Sequence, residues 1–423
     1  MVRRPIIIAL AATILALGGY VGWRLRSSTT PPLPLVRSAT AGAPESLPPG
    51  ARQPVAPGDR HAPPLPQIAN QIPQVRTFEF TSNGFIEVAH ALILVRKADS
   101  GMDRILQIAQ SSARQAFAAR PSLAEVDVSV YRAEDYAGFG GPSPLFTASV
   151  PSSRLAEFLA VTAASAGDYD RLWVNPAEPL PPQRHATGET HLGVPEAPPT
   201  FAGSPSEVQM QQRLQLQHQR RGPSPGSAVY FHGPPNNRVV ALTFDDAVHP
   251  MYAPLLLDVL RRGGTQATFF IIGRNAEAYP YFVRDLARGG HEIGNHTYHH
   301  VRLTNLPEAV VRDEIQRTNT LIEDLTGRRT RYFRPPGGEY SPLVLTVAQS
   351  LGMVTAFWTD DPGDFNNPGG TVLETRTLAH LRPGGIVLLH DSAPETIGIL
   401  AEFLRDARAR GFHLTTLDNQ GRK

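Results

Sequence analysis

Two adjacent aspartates, Asp245 and Asp246, directly follow an apolar run at residues 239–244 of this 423-residue chain. A run of this length predicts a buried strand. Parallel barrels and open α/β sheets place their reactive groups at the carboxyl ends of such strands. The alternative is a strand followed by an ordinary aspartate-rich turn, because aspartate also favours turns.

Four more segments with reactive side chains follow predicted strands further along the chain. They are HTYHH at residues 296–300, RPPGG at 334–338, DPGDF at 361–365 and LLHD at 388–391. Strand signals alternate with helical patterns. The strand signals lie at residues 239–245, 267–272, 292–296, 332–334, 355–359, 386–390 and 413–417. Repeated strand–helix units predict a parallel α/β sheet, which this number of strands could close into a barrel. We therefore expect the five segments to meet at one rim.

Any metal bound by this chain must rest on histidine and carboxylate ligands, because the chain contains no cysteine. Histidines three or four residues apart return to one face of a turn, so His296 could share an ion with His299 or with His300. A carboxylate from the aspartate pair would complete a set that leaves positions open for water and substrate. The spacing alone does not choose between the two histidines.

The five segments, in this order, resemble the motifs of polysaccharide deacetylases of carbohydrate esterase family 4, over about residues 228–423. The resemblance implies a distorted (β/α) barrel that removes N-acetyl groups from amino-sugar polymers. It implies a divalent metal, zinc by preference and otherwise cobalt, nickel or manganese. By position, it implies that Asp246, His296 and His300 bind this metal. It also implies that Asp245 is the general base and that His390 is the general acid for the departing amine.

The resemblance further implies that Arg334 orients Asp245 and that Asp364 holds the imidazole of His390. These roles agree with simple electrostatics. Asp245 has to stay ionised beside Asp246, and the charges of the metal and of Arg334 would offset the repulsion between the two carboxylates. A general acid must be protonated, and a nearby carboxylate raises the pKa of a histidine.

The predicted pocket departs from the family pattern at three positions. The resemblance implies that Leu388 and Phe365 line the pocket for the acetyl methyl group, and that the Gly337 N–H helps to stabilise the oxyanion. The family usually has tryptophan in place of Phe365, an aromatic residue in place of Gly337, and glycine in place of Ala247. We therefore expect activity with an altered pocket shape.

Residues 1–26 contain an apolar run of about eighteen residues flanked by arginines, which is near the lower limit for spanning a membrane. The run ends in aromatic residues without a good cleavage site, which favours an uncleaved anchor over a cleaved signal peptide and a secreted protein. Residues 27–75 and 176–227 are rich in proline, and the second stretch is also rich in glutamine; both predict linkers. Either form of the N-terminus predicts that the rest of the chain is exported.

Residues 76–175, between the linkers, have a globular composition. Strand signals at 86–95, 125–131 and 145–150 and helical patterns at 103–120 and 153–164 indicate a small α+β module. It contains no nucleophile–base pair, metal-ligand spacing or phosphate loop in its sequence. We expect a packing, wall-binding or spacer role for it.

These patterns predict a membrane-tethered, extracytoplasmic, metal-dependent deacetylase acting on an N-acetylated polysaccharide, with peptidoglycan preferred over chitin oligomers or an exopolysaccharide. One competing class is a non-catalytic wall-binding protein with a decayed deacetylase fold, and another is a hydrolase of small amides or imides. The net charge of +2 gives no basis for nucleic-acid binding. No pattern identifies a protein partner.

Overall fold

The structure is a computed structural model that describes residues 71–136, 141–176, 229–235 and 238–420. The predicted anchor at residues 1–26 and nearly all of both predicted linkers lie outside these residues, so those interpretations stay predictions. No helix within the described ranges is long and apolar enough to cross a membrane.

The N-terminal described part is a mixed sheet of five strands in the order β1-β2-β3-β4-β5, namely β1 Val75–Ser82, β2 Glu87–Val95, β3 Leu123–Arg132, β4 Phe146–Pro151 and β5 Leu172–Val174. Helix α1, Met102–Ala119, connects β2 to β3, which pair in parallel; the other neighbours are antiparallel. Helix α2, Leu155–Ala160, follows β4. The apolar side of α1 packs on one face of the sheet and forms a core of its own.

The C-terminal described part is a parallel sheet of eight strands: β6 Val229–Tyr230, β7 Val239–Ala247, β8 Thr268–Ile271, β9 Glu292–Asn295, β10 Tyr332–Phe333, β11 Val354–Ala356, β12 Ile386–His390 and β13 His413–Thr415. The strand order is β12-β7-β8-β9-β10-β11-β6, with β13 paired to β7. The helices are α3 Ala253–Arg262, α4 Gly273–Ala278, α5 Pro280–Arg288, α6 Glu308–Thr326, α7 Pro342–Ser350, α8 Gly370–His380, α9 Pro394–Ala409 and α10 Leu417–Gln420. The predicted parallel α/β fold is confirmed.

The sheet closes between β11 and β12, where the backbone that follows β11 is not a regular strand. The segment after β11 reaches β12 through one parallel bridge between Asp360 and Val387. The Leu388 N–H donates to the carbonyl of Asp360 over 2.9 Å, which extends this contact by one step. The barrel is therefore distorted at this seam, and it lacks a continuous ladder there.

Strand β7 shows how the sheet positions reactive groups. Its residues alternate between two faces, as in any strand. Leu242 and Phe244 are fully buried in the core beneath the helices. Thr243 and Asp245 point to the other face, where both contact Arg334. Because all strands of this sheet run in parallel, their carboxyl ends meet at the same rim.

The helices differ from the predictions at two places. The pattern at residues 278–288 predicts one helix, and α5 corresponds to it but begins at Pro280, because a proline biases the residue before it away from helical backbone angles. The short helix α4 was not predicted. The pattern at 153–164 predicts a second single helix, whereas α2 is flanked by short 3₁₀ segments. Strands β1, β5 and β6 were not predicted, and β11 ends at Ala356 rather than at residue 359.

The N-terminal sheet is docked on helices α3–α5 through the face that is opposite to α1. Ser129 Oγ lies 3.0 Å from the hydroxyl of Tyr279, and Asn83 Nδ2 donates to the carbonyl of Leu255 over 3.0 Å. Val88 of β2 belongs to the hydrophobic core of the C-terminal part. The two parts therefore share apolar and polar contacts and pack as one body.

Candidate metal centre and active site

Three of the predicted ligands converge at the rim of the parallel sheet. One ligand atom each from Asp246, His296 and His300 lies within 4.8 Å of the other two. The Nε2 atoms of His296 and His300 are 3.5 and 3.1 Å from Asp246 Oδ1. This oxygen is buried and has no hydrogen-bond partner among the described residues. A buried carboxylate oxygen facing two imidazoles without a hydrogen bond fits a bound cation.

The protonation of His296 also suits a metal ligand. Its Nδ1 is 2.7 Å from the carbonyl oxygen of Arg334, which can only accept, so Nδ1 carries the proton and Nε2 offers its lone pair. Burial, followed by the charge of His300, lowers the pKa of His296 to about 3. The pKa of His300 is also lowered, chiefly by burial. Neutral imidazoles are the form that binds a metal.

An unusual backbone conformation orients the side chains of the predicted ligands. Asp246, Thr297 and His300 have φ angles of 65°, 68° and 58°, in the left-handed region that residues with a Cβ seldom occupy. Such conformations persist where the surrounding structure enforces them, and they concentrate at functional sites. His300 retains 13 % of its side-chain exposure, whereas His296 retains 2 %. The site is therefore open to solvent on the His300 side.

Helix α6 fastens the loop that carries His300. The carboxylate of Glu314 accepts the N–H groups of Tyr298 and His299 over 3.0 and 2.9 Å, and it pairs with Nδ1 of His299 over 2.6 Å. The His299 side chain is thus committed to Glu314, which leaves His300 for the ligand set. At the start of the loop, Asn295 accepts the N–H of Thr297 over 2.8 Å.

Asp245 is held apart from Asp246 by a buried arginine. Arg334 Nη1 donates to Asp245 Oδ1 over 2.6 Å and to Thr243 Oγ1 over 2.9 Å. The same guanidinium is 4.1 Å from the ring centroid of Phe270. Burial lowers the pKa of Arg334, and the charge of Asp245 raises it. Oδ2 of Asp245 faces the metal-ligand group, 3.7 Å from His296 Nε2.

Asp364 holds the side chain of His390. His390 ends β12, the strand that pairs with the strand of Asp245. It lies in register with Asp245 across the β12–β7 pair. Asp364 Oδ1 is 2.8 Å from His390 Nδ1, and Asp364 Oδ2 accepts the backbone N–H of His390 and the hydroxyl of Thr396, each over 2.7 Å. Burial lowers the pKa of His390, but the charge and hydrogen bond of Asp364, followed by the charges of the two aspartates, raise it to about 10. The imidazole is therefore protonated at neutral pH, with Nε2 free to donate.

Two of the predicted pocket residues, Leu388 and Phe365, lie near His390. Leu388 is buried and lies two residues before His390, on the same face of β12. The half-buried ring of Phe365 is 5.2 Å from the His390 ring, centroid to centroid. Gly337 has a φ of 64°, in the left-handed region that favours glycine. The Ala247 methyl group lies in the hydrophobic core, so this departure does not shape the pocket.

Four residues that support the site were missed by the sequence interpretation. Thr243 could have been found, because strand alternation places it on the same face as Asp245. Asn295, Glu314 and Thr396 had no signal, since each acts through a contact made by folding. Glu314 lies fourteen residues after the last ligand, on a helix whose pattern shows only its apolar face.

The chain is similar in sequence to known polysaccharide deacetylases. The polysaccharide deacetylase family profile matches residues 232–356. A peptidoglycan-N-acetylglucosamine deacetylase of Bacillus cereus is 34% identical over 203 residues, covering 47% of this chain and 95% of the relative. A chitooligosaccharide deacetylase of Azorhizobium caulinodans is 34% identical over 197 residues, covering 43% of this chain and 94% of the relative. A solved structure of a CE4 family pseudoenzyme from Bacillus anthracis is 31% identical with a TM-score of 0.44, covering 48% of this chain and 70% of that one.

Proposed function

The chain belongs to the polysaccharide deacetylase family, and from this premise we propose that it is a metal-dependent hydrolase of N-acetyl groups on an extracytoplasmic polysaccharide. The observation that supports this best is the convergence of Asp246, His296 and His300 around one buried, unbonded carboxylate oxygen. A candidate base and a candidate acid, Asp245 and His390, flank this group on neighbouring strands.

The donor set fits a catalytic zinc ion. Two imidazole nitrogens and one carboxylate oxygen from Asp246, His296 and His300 would hold it and leave positions open for water and substrate. When bound, the metal supplies a Lewis acid that polarises the amide carbonyl and lowers the pKa of the attacking water from about 15.7 to about 7. Asp246 and His296 are buried, and the low dielectric constant of a buried site strengthens the interaction between the ligands and the metal.

The chain's own residues move the protons. Asp245, kept in place by Arg334, accepts a proton from the water that attacks the acetyl carbon. In this proposal the Gly337 N–H would donate to the oxygen that becomes negative. His390 then gives its Nε2 proton to the departing nitrogen, so that a neutral amine leaves. Asp364 keeps His390 charged and fixes its orientation, which matches its raised pKa.

Peptidoglycan is the substrate we propose first. The support is the activity named for the Bacillus cereus relative, together with the predicted N-terminal anchor, which would hold the catalytic part beside the wall. The relative from Azorhizobium caulinodans makes chitin oligomers the second substrate to test. A membrane anchor also argues against a small intracellular amide as substrate.

Acetate release from a panel of polymers tests this proposal. Purified protein would be loaded with zinc and incubated with peptidoglycan, chitin oligomers and an acetylated exopolysaccharide. We expect release from peptidoglycan, and loss of that release when a chelator removes the metal. Release only from another polymer would contradict the substrate, and no release from any polymer would contradict the activity.

A further inference from the structure

Arg274 of α4 lies beside the candidate metal centre, and no role has been assigned to it. Helix α4 follows β8 directly, so Arg274 is at the same rim as the ligands. Its backbone N–H donates to the carbonyl of Tyr298 over 3.1 Å, which joins it to the loop that carries His300. The next residue, Asn275, donates through Nδ2 to the backbone carbonyl of Asp246 at 3.5 Å.

The guanidinium of Arg274 is buried without a counter-charge of its own. The residue is 9% exposed. Its Nη1 donates over 3.3 Å to the carbonyl of Gly141, in the loop between β3 and β4. Its Nε is buried and has no hydrogen-bond partner within the described part of the chain, and its side chain forms no ion pair with a described carboxylate. A guanidinium has five N–H donors, so most of its donor capacity is unused.

An unpaired buried cation is costly, and this one is next to the candidate metal centre, where a metal ion would add further positive charge. The carboxylate of Glu314 is close enough to influence Arg274, but it is already engaged by His299 and by two backbone N–H groups. Burial lowers the pKa of Arg274 to about 10, so the group stays charged at neutral pH. Its charge also reaches the ligand loop, where it contributes to the lowered pKa of His300.

We propose that Arg274 binds a carboxylate carried by the polysaccharide, next to the N-acetyl group that is removed. A planar guanidinium with free donors matches a carboxylate in shape and charge. The inference rests on the proposed function and narrows its substrate class to an acidic amino-sugar polymer. A carboxylate on a carboxyalkyl ether at O3 of a sugar, or on a peptide attached to that ether, has this chemistry. Gly141, in the loop between β3 and β4, lies at the edge of this subsite.

The test uses one polymer in two chemical forms. Peptidoglycan strands would be compared with the same strands after their carboxylates are converted to methyl amides, which removes the charge and keeps the acetamido groups. Full-length zinc-loaded protein would be assayed as wild type, Arg274→Gln and Arg274→Lys. Arg312→Gln, an exposed arginine paired with Glu308, is the matched control. Thermal unfolding and zinc content would establish that each variant is folded and loaded.

We expect wild type to prefer the charged strands, and Arg274→Gln to lose roughly tenfold to a hundredfold in kcat/KM on those strands alone. Arg274→Lys keeps the charge without the planar fork, so its loss is smaller. The inference would be overturned if wild type had equal rates on the charged and the amidated strands. It would also be overturned if Arg274→Gln lost the same factor in kcat/KM on both kinds of strand. The comparison within wild type holds even if the variants fail to fold. Absence of acetate from every polymer would instead reject the proposed function.

Discussion

Arg334 donates from Nη1 to Oδ1 of Asp245 over 2.6 Å, and the arginine is completely buried. Two carbonyl groups, those of Ala356 and Phe357, accept from Nε and Nη2 of the same guanidinium. The charge of the candidate base is therefore balanced by a cation that the surrounding backbone fixes in place. This arrangement separates Asp245 from Asp246, although the two residues are adjacent in the sequence.

Replacing Arg334 by methionine should destabilise the protein and remove activity. The change leaves the carboxylate of Asp245 buried without its partner, and breaking a buried ion pair in this way costs about 3–5 kcal/mol. Arg334→Lys should recover part of the stability, because it restores the charge but not the bonds to Ala356 and Phe357. Urea unfolding and acetate release would measure both effects. A methionine variant with wild-type stability and rate would show that the pair is dispensable.

Replacing Asp364 by asparagine should move the alkaline limb of the pH–rate profile to lower pH. In wild type the pKa of His390 is raised to about 10, so the general acid keeps its proton through neutral pH. Without the Asp364 charge, burial dominates and lowers that pKa. The measurement is kcat/KM against pH. An unchanged alkaline limb in the variant would contradict the assignment of His390 as the acid.

The same pair makes a prediction about stability. The pKa of His390 is higher in the folded protein than its ordinary value of 6.5, so charging this group favours folding. This contribution is fully present below pH 6.5 and is lost as the pH rises through about 10. Asp364→Asn should remove this dependence, so the difference in the free energy of unfolding between wild type and variant should shrink as the pH rises through that interval. A constant difference would argue against the charged pair.

Replacing Glu314 by glutamine should weaken metal binding without removing a ligand. The carboxylate holds the loop of His299 and His300 by three contacts. Loss of a residue that supports a metal ligand typically weakens affinity by about 10–100-fold. Zinc competition with a chelating dye would give the affinity. Glu308→Gln, an exposed carboxylate on the same helix, is the control, and equal affinities for the two variants would show that Glu314 does not position the site.

Removing the N-terminal sheet should destabilise the C-terminal part rather than release an independent domain. A chain starting near residue 226 would expose the fully buried side chains of Tyr281 and Phe282, whose helix is now covered by the sheet. It would also leave Asp285 without its salt bridge to Arg171. Thermal unfolding of this chain and of one starting near residue 71 would be compared. Equal midpoints would mean that the docked sheet contributes nothing to stability.

The grouping of the candidate site residues could be predicted because they lie in short segments at the ends of strands. The parallel order of strands brings such segments to one rim whatever the connecting lengths are, so the aspartate pair and the histidines of residues 296–300 could be grouped before any coordinates. The family resemblance then implied the set Asp246, His296 and His300. Without the family resemblance, only the structure distinguishes His299 from His300. The contact that does so joins His299 to Glu314, which lies on a helix further along the chain.

The docking of the N-terminal sheet could not be predicted in the same way. Its contact face carries polar residues such as Ser129 and Asn83, which a sequence pattern assigns to solvent. Only the tertiary structure shows that Tyr279 and Leu255 satisfy them. Helix α4 was also not predicted. The start of α5 could be located more closely from the sequence, because Pro280 restricts the residue before it.

The separate functions of the two adjacent aspartates can be tested by one paired measurement. Bound zinc and acetate release from peptidoglycan would be determined together for wild type, Asp245→Asn and Asp246→Ala. We predict that Asp245→Asn keeps its zinc and loses about 10²–10⁴-fold in rate, because only the base is removed. Asp246→Ala should lose both zinc and activity. Wild-type turnover by Asp245→Asn, or wild-type zinc affinity in Asp246→Ala, would contradict the division of the pair into a base and a ligand.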